Sequence, residues 1–295
     1  MDKEKPFIFQ VDSPAVLKTF DTDNYCIEYN NSVNCDANLC IIYFSSNEIY
    51  HPNTLKSFEY SIIERDKYEW KKNRHAAAKK HIFIRDIRKQ WYIGGINSKL
   101  DTPLKLAEFL KSETKGYKVY TIGSSAGGFA AILFSSLLDV NRVYAFNAQL
   151  NLKVTMQNSN SFVDPILFEK VNDVELKPYF DLSNFIKNGI DYYYFQSCNS
   201  KMDVEQYNAI STNSQKNLKI IRFKTSNHGF PFLRINLPRI LSFDKNKLDT
   251  LVNQTFGLML FSIRLVGFWA TISFVIKALI DRYNKKRIEA SLKNN

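Results

Sequence analysis

Glycine and proline are both scarce in this chain, at ten and eight of 295 residues. That rules out a collagen-like repeat or a Gly/Pro-rich linker protein. Cysteine is scarcer still. Cys26, Cys35, Cys40 and Cys198 form no CxxC pair, which argues against a disulfide framework and for reduced, structural thiols. The four histidines, His51, His75, His81 and His228, stand at no metal-ligand spacing, so no metal is expected. The net charge is +11, yet no nucleic-acid motif accompanies it, and no nucleic-acid partner is expected. The opening MDKEKPFIFQVDSPAV lacks an apolar run long enough for a signal peptide, which places the bulk of the protein in the cytoplasm as an expectation.

What the chain does have is a high aromatic content and alternating strand-like and helix-like runs. Strands are predicted at 7–11, 25–29, 39–44, 81–85, 117–122, 142–146, 192–196 and 218–223. Helices are predicted at 54–80, 103–113, 126–138 and 204–212. Near-continuous apolar strands alternating with helices imply an α/β fold, a mostly parallel central sheet covered on both faces. The first two strands follow each other without a helix, which predicts an antiparallel start. The basic cluster Lys67–Lys80 is interleaved with acids and alanines and reads as a solvated helix face. Residues 151–189 are irregular and suit an insertion or lid.

Residues 1–253 are thus expected to form one catalytic domain, and 254–295 a separate hydrophobic helical tail. Phe256–Ile276 is a run of twenty-one residues with one charge, Arg264. From Thr255 onward seven basic residues face two acidic ones, with the basic end at Arg282–Lys293. A true span would place that end outside, against the positive-inside bias, and Arg264 would cost roughly 2.5–3.5 kcal/mol. A helix lying in the interface, or a hairpin broken near Gly267, avoids both penalties. The expectation is peripheral attachment to an anionic membrane surface, on the inner face of the cytoplasmic membrane.

The few glycines cluster. Three of the ten fall within six residues of YTIGSSAGGFAAILF, Tyr120–Phe134. Gly123-Ser124-Ser125-Ala126-Gly127 fits G-x-S-x-G between a strand and a helix, the context of a nucleophile elbow. No G-K-[S/T] and no G-x-G opening supports a phosphate-cradle alternative. A serine needs a base and an orienting acid. His228 in FKTSNHGF follows a predicted strand, and Asp203 lies just beyond the strand at 192–196, with Glu205 the nearest substitute. The order Ser125, Asp203, His228 is that of α/β-hydrolases. His228 would take the Ser125 proton while Asp203 holds the imidazole tautomer. The oxyanion hole is expected from the Ala126 N–H and one from Ser45 or Ser46, after the strand at 39–44.

RDIRKQWYIGG, IGSSAGGFAAILF, VYAFNAQLNL and NHGF together resemble α/β-hydrolase-fold proteins of bacterial capsule and surface-polysaccharide loci. The sequence is also similar in plan to capsule O-acetyltransferases and accessory Sec glycan acetyltransferases. The resemblance spans about 39–232 and is specific around Ser125; the hydrophobic tail departs from the short acetyltransferases. It implies a Ser125–Asp203–His228 triad and a glycan or lipid-linked glycan substrate. Asp86, Trp91 and Tyr92 are candidate substrate contacts, the aromatic pair stacking on a sugar if exposed.

These readings converge on a serine acyl enzyme without a permanently bound cofactor. O-acetyl transfer from acetyl-coenzyme A to a surface polysaccharide or its precursor is expected. A carbohydrate esterase of the same fold is the alternative, and a non-catalytic scaffold in polysaccharide assembly or export is the alternative of another class.

Overall fold

The computed structural model describes residues 7–293, with side chains described through residue 284. The basic side chains of Lys285, Lys286, Arg287 and Lys293, counted in the tail's charge, lie outside the described part. Among the described residues, eight strands form one sheet. They are β1 (Tyr25–Tyr29), β2 (Asp36–Phe44), β3 (Ala78–Ile84), β4 (Lys118–Ser124), β5 (Arg142–Phe146), β6 (Asp191–Ser197), β7 (Leu218–Phe223) and β8 (Thr255–Phe256). Their order is β1-β3-β2-β4-β5-β6-β7-β8. β1 runs antiparallel to β3, and every other neighbouring pair is parallel. This is the α/β-hydrolase type of sheet. The order reverses between β2 and β4, and in open α/β sheets the crevice beyond such a switch point holds the ligand.

The period-two alternation of β2 explains why the sheet is covered twice. Cys40, Ile42 and Phe44 enter one core with helices α1 (Pro103–Glu113) and α2 (Ala126–Leu138). Leu39, Ile41 and Tyr43 enter the other, an aromatic core with Trp70, Phe146, Phe195, Phe223, Phe232 and Phe261. α2 is apolar all round and almost wholly buried, as a helix between sheet and insertion should be. The insertion 151–189 joins the first core through Leu152, Leu167, Phe180, Leu182 and Ile186, and Lys187 Nζ ties it to the Ser136 carbonyl at 2.9 Å.

Three expected elements differ. The strand at 7–11 is replaced by a helical turn, Phe9–Asp12, closed by the Ile8 N–H donating to Asp12 Oδ2 at 2.7 Å. β1 therefore finds its antiparallel partner in β3, far along the chain. The long helix at 54–80 breaks into Leu55–Phe58, a π-helical turn Glu59–Glu64 and a 3-10 turn Lys71–Asn73, and β3 starts at Ala78. Asp66 at φ +41° ends the helical run, and Tyr68 and Trp70 then drop into the core.

The sheet also continues into the stretch assigned to the tail. Thr255 pairs with Arg222 and Phe256 with Phe223, forming β8. Helix α4 (Leu258–Val266) follows, Gly267 turns the chain at φ +91°, and α5 (Phe268–Lys293) runs back. Ser262 Oγ, Thr271 Oγ1 and Asn236 Oδ1 form a buried polar chain at 3.0 and 3.1 Å that pins this hairpin to the segment following the His228 loop. No helix among the described residues is long and apolar enough to cross a membrane. Residues 276–284 of α5 are all exposed.

Candidate active site

β4 ends at Ser124, and Ser125 turns the chain into α2 at φ +55°, ψ −121°. An L-residue adopts that conformation only when its surroundings impose it. The glycines make it feasible. A Cβ on Gly123 would stand 2.0 Å from the Gly127 carbonyl, and one on Gly127 would stand 2.3 Å from the Phe44 carbonyl. A Cβ on Gly128 would meet Ala148 at 2.7 Å. Strand, elbow and helix are packed backbone to backbone, so the local concentration of glycine is a steric requirement.

The elbow brings Ser125 Oγ to 2.7 Å from His228 Nε2. His228 Nδ1 is in turn 2.7 Å from Asp203 Oδ1. A carboxylate accepts, so Nδ1 carries the imidazole proton and Nε2 is left to accept from the serine hydroxyl. Asp203 sits in the first turn of α3 (Lys201–Asn208), where Ser200 Oγ caps its N–H at 3.3 Å. The side chain is fully buried, and Oδ2 has no hydrogen-bond partner among the described residues. His228 is about one-third exposed, and Ser125 is partly exposed, so solutes reach both.

The loop carrying His228 is held from the neighbouring strands. Asn147 Nδ2 and Ser197 Oγ both donate to the Asn227 carbonyl, at 3.0 and 2.6 Å. Asn147 Oδ1 accepts the Ser197 N–H at 2.7 Å, and Asn147 itself sits at φ +43°. Sequence reasoning missed Asn147. Its only sequence signal is a polar residue directly after the apolar strand β5.

The two expected second donors to an oxyanion are otherwise engaged. The Ser45 N–H donates to the Ile84 carbonyl at 3.0 Å, because the ladder between β2 and β3 extends one residue past Phe44. The Ser46 N–H donates to Glu69 Oε2 at 2.7 Å, and Ser46 Oγ to Oε1 at 2.9 Å. Burial pushes the Glu69 carboxyl up from its ordinary value, against the pull of both Ser46 bonds. The Ala126 N–H stays in place, since it opens α2, whose first-turn donors lack intrahelical acceptors.

Asp86, Trp91 and Tyr92 are not surface contacts. All three are 2 % exposed or less, so no sugar stacks on this aromatic pair. Asp86 accepts from the N–H groups of Arg88, Gln90 and Tyr92 and folds the loop around itself. Lys89, Trp91 and Tyr92 all hold positive φ there. Tyr92 Oη donates to the Ser45 carbonyl at 2.8 Å, and Trp91 Nε1 donates to Gln149 Oε1 at 2.5 Å.

A cleft of about 440 Å³ opens over the switch point, walled by Ser46, Glu69, Trp70, His228, Phe230 and Arg234. Phe274, from α5, closes one side. Arg234 lies over the Phe230 ring at 4.9 Å and is the cation available to an anionic group in the cleft. A larger hollow of about 770 Å³ lies by the N-terminal helical turns, lined by Phe7, Phe9, Pro14, Leu55 and Phe162. It contains none of Ser125, Asp203 and His228.

No family model and no curated protein matches the chain. Solved structures are similar in fold. The capsule O-acetyltransferase of Neisseria meningitidis serogroup A is 16 % identical with a TM-score of 0.45, over 68 % of this chain and 83 % of that one. That enzyme has also been solved with CoA. An esterase of Pyrobaculum calidifontis is 12 % identical with a TM-score of 0.44, over 82 % and 90 %. Acetyl xylan esterase 1 of Thermoanaerobacterium sp. JW/SL YS485 is 10 % identical with a TM-score of 0.39, over 67 % and 70 %. Likeness of this degree assigns no activity to the chain.

Proposed function

We propose that the protein is a serine acyl enzyme that transfers an O-acetyl group to a surface polysaccharide or its lipid-linked precursor. The observation that carries the acyl chemistry is the unbroken hydrogen-bonded line from Ser125 Oγ through His228 to Asp203. Ser125 Oγ attacks the acyl carbonyl carbon, its proton passes to His228 Nε2, and the carbonyl electron pair moves onto oxygen. Collapse of that intermediate expels the donor's leaving group, which takes the proton from His228, and leaves an acyl-Ser125 ester. An acceptor hydroxyl then attacks the ester, His228 takes its proton, and the proton returns to Ser125 Oγ as the bond from that oxygen to the acyl carbon breaks. Asp203, buried beside the ring, stabilises the imidazolium in both half-reactions.

Acetyl-coenzyme A is the proposed donor. Arg234 is the cleft residue suited to a donor or acceptor phosphate, since a guanidinium pairs bidentately with phosphate oxygens. The glycan acceptor rests on the sequence resemblance; the cleft's contribution is its half-buried aromatic walls, Phe230 and Phe274. Water in place of the sugar hydroxyl gives the second reading, a carbohydrate esterase, favoured by the exposure of His228.

Attachment to a membrane is part of the same proposal. The hairpin of α4 and α5 exposes Met259, Leu260, Phe268, Trp269, Ile276, Leu279, Ile280 and Tyr283, and Arg264, Lys277 and Arg282 accompany them. Apolar side chains beside basic ones suit the headgroup boundary of an anionic bilayer. Since Phe274 belongs to the same helix, the cleft would face that boundary.

A fluorophosphonate probe tests the chemistry. One adduct on Ser125, abolished in Ser125→Ala, is expected; a wild-type protein that takes no label leaves only the scaffold reading. Acetyl-coenzyme A with and without de-O-acetylated capsular glycan then separates the two enzymatic readings. Acetylated glycan marks a transferase, whereas acetate release alone marks an esterase.

A further inference from the structure

We propose that the side-chain amide of Gln149 donates the second hydrogen bond to the oxyanion, and that Trp91 holds that amide in the orientation required. This rests on the serine acyl-enzyme reading and adds a residue to it. The problem it answers is concrete. A tetrahedral intermediate on Ser125 needs donors for its oxygen, and the Ala126 N–H supplies one. The usual source of the other is the loop after β2, but the Ser45 N–H is in the sheet ladder and the Ser46 N–H is bound by a buried carboxylate.

Gln149 is placed to fill that gap. It lies three residues past the end of β5, and its own N–H donates to the Ser125 carbonyl at 3.4 Å. Its Oε1 is 3.5 Å from Ser125 Oγ. The same oxygen accepts from Trp91 Nε1 at 2.5 Å. An indole N–H can only donate, so the atom facing it must be the amide oxygen and not the nitrogen. Trp91 therefore decides which end of the amide is which. Gln149 Nε2 makes no hydrogen bond among the described residues and is not among the buried atoms lacking one. The oxyanion forms two bonds beyond Oγ, on the acyl carbon, and would take its second hydrogen bond from the nitrogen of this planar amide.

The positive-φ loop gains a purpose on this account. Trp91 and Tyr92 at φ +53° and +60°, with Asp86 gathering three N–H groups beneath them, put the indole N–H where a regular turn would not. Strain of this kind persists where the surroundings over-determine it, and often marks a functional site.

Gln149→Ala and Gln149→Glu decide the matter, with p-nitrophenyl acetate as substrate and the fluorophosphonate as probe. Glutamate keeps the size and still accepts from Trp91, but sets an oxygen where the donor was. Loss of one oxyanion donor lowers kcat by about 10²–10³. Both variants are expected to lose that much, Gln149→Glu at least as much as Gln149→Ala, with KM and thermal unfolding little changed. The affinity for a trifluoromethyl ketone, which forms a tetrahedral adduct, should fall with kcat, while that for an unreactive amide analogue should not. Trp91→Phe keeps an aromatic side chain but loses the N–H and part of the indole's volume; it is expected to lower kcat about tenfold with KM unchanged, since one lost hydrogen bond corresponds to about that factor. Gln149→Glu retaining wild-type kcat, or adduct affinity unmoved in Gln149→Ala, overturns the proposal while wild-type labelling of Ser125 leaves the acyl-enzyme reading intact. Absence of labelling in the wild type overturns that reading instead.

Discussion

Asp203 offers one oxygen to His228, and its other, buried oxygen has no donor among the described residues. Asp203→Asn preserves the shape but presents either a neutral acceptor or a second donor to Nδ1. The imidazole then loses its fixed tautomer, and kcat for acetate ester cleavage is expected to fall by about 10⁴. Stopped-flow measurement of acyl-enzyme formation checks it; a loss under tenfold would remove Asp203 from the mechanism. Asp86 gives a prediction of a different kind. Burial pushes its carboxyl up to about 6 even though three N–H groups pull it down. A carboxyl raised on folding holds its proton more tightly in the folded chain, so its stabilising contribution is complete below the unfolded value near 3.9. It is then lost as pH rises through about 6. His81, which burial lowers to about 4, acts in the opposite sense: its contribution is complete above about 6.5 and is lost as pH falls through 4. Urea unfolding at pH 5 and 7 separates them, because Asp86→Asn should remove only the part of the stability change that Asp86 carries. An unchanged difference between the two pH values contradicts the assignment.

At the scale of elements, the elbow and the hairpin make contrasting demands. Gly127→Ala drives a Cβ to within 2.3 Å of a backbone oxygen that cannot swing aside. We expect destabilisation of about 3 kcal/mol or more, read by thermal unfolding. Deleting residues 276–295 should be silent in the same measurement, since the described part of that stretch is exposed throughout. Deletion from residue 254 removes β8 and takes Phe256 and Phe261 from the aromatic core, so it should unfold or aggregate the protein. These outcomes also mark what was legible in the sequence. The elbow, α1, α2 and most strands announce themselves through glycine placement and apolar runs, which are local signals. The false helix at 54–80 arose because Tyr68 and Trp70 are buried by distant strands, and spacing along the chain cannot report that. The tail boundary failed for a related reason. One apolar run holds both residues that complete a core and residues that leave it, and composition does not divide them.

For the molecule as a whole, sequence order brought the three remote side chains within reach of recognition, because chain order in this type of sheet carries spatial meaning. It did not reveal Asn147, Glu69 or Gln149, whose partners are backbone groups and side chains remote from them in sequence. The docking proposal has its test at this scale. Vesicles containing anionic phospholipid should sediment the full chain but not one ending at residue 275, and neutral vesicles should bind both weakly. Equal sedimentation of the two proteins would remove the hairpin from the account.

One wall of the cleft has a singular status. Phe274 stands on the last anchored turn of α5, since two residues later the helix runs clear of the globule. Trimming that ring in Phe274→Ala should let solvent compete for the acyl-serine, raising acetate released per acetate delivered. The split between acetate delivered and acetate lost would then be set by a phenyl group far along the chain from Ser125.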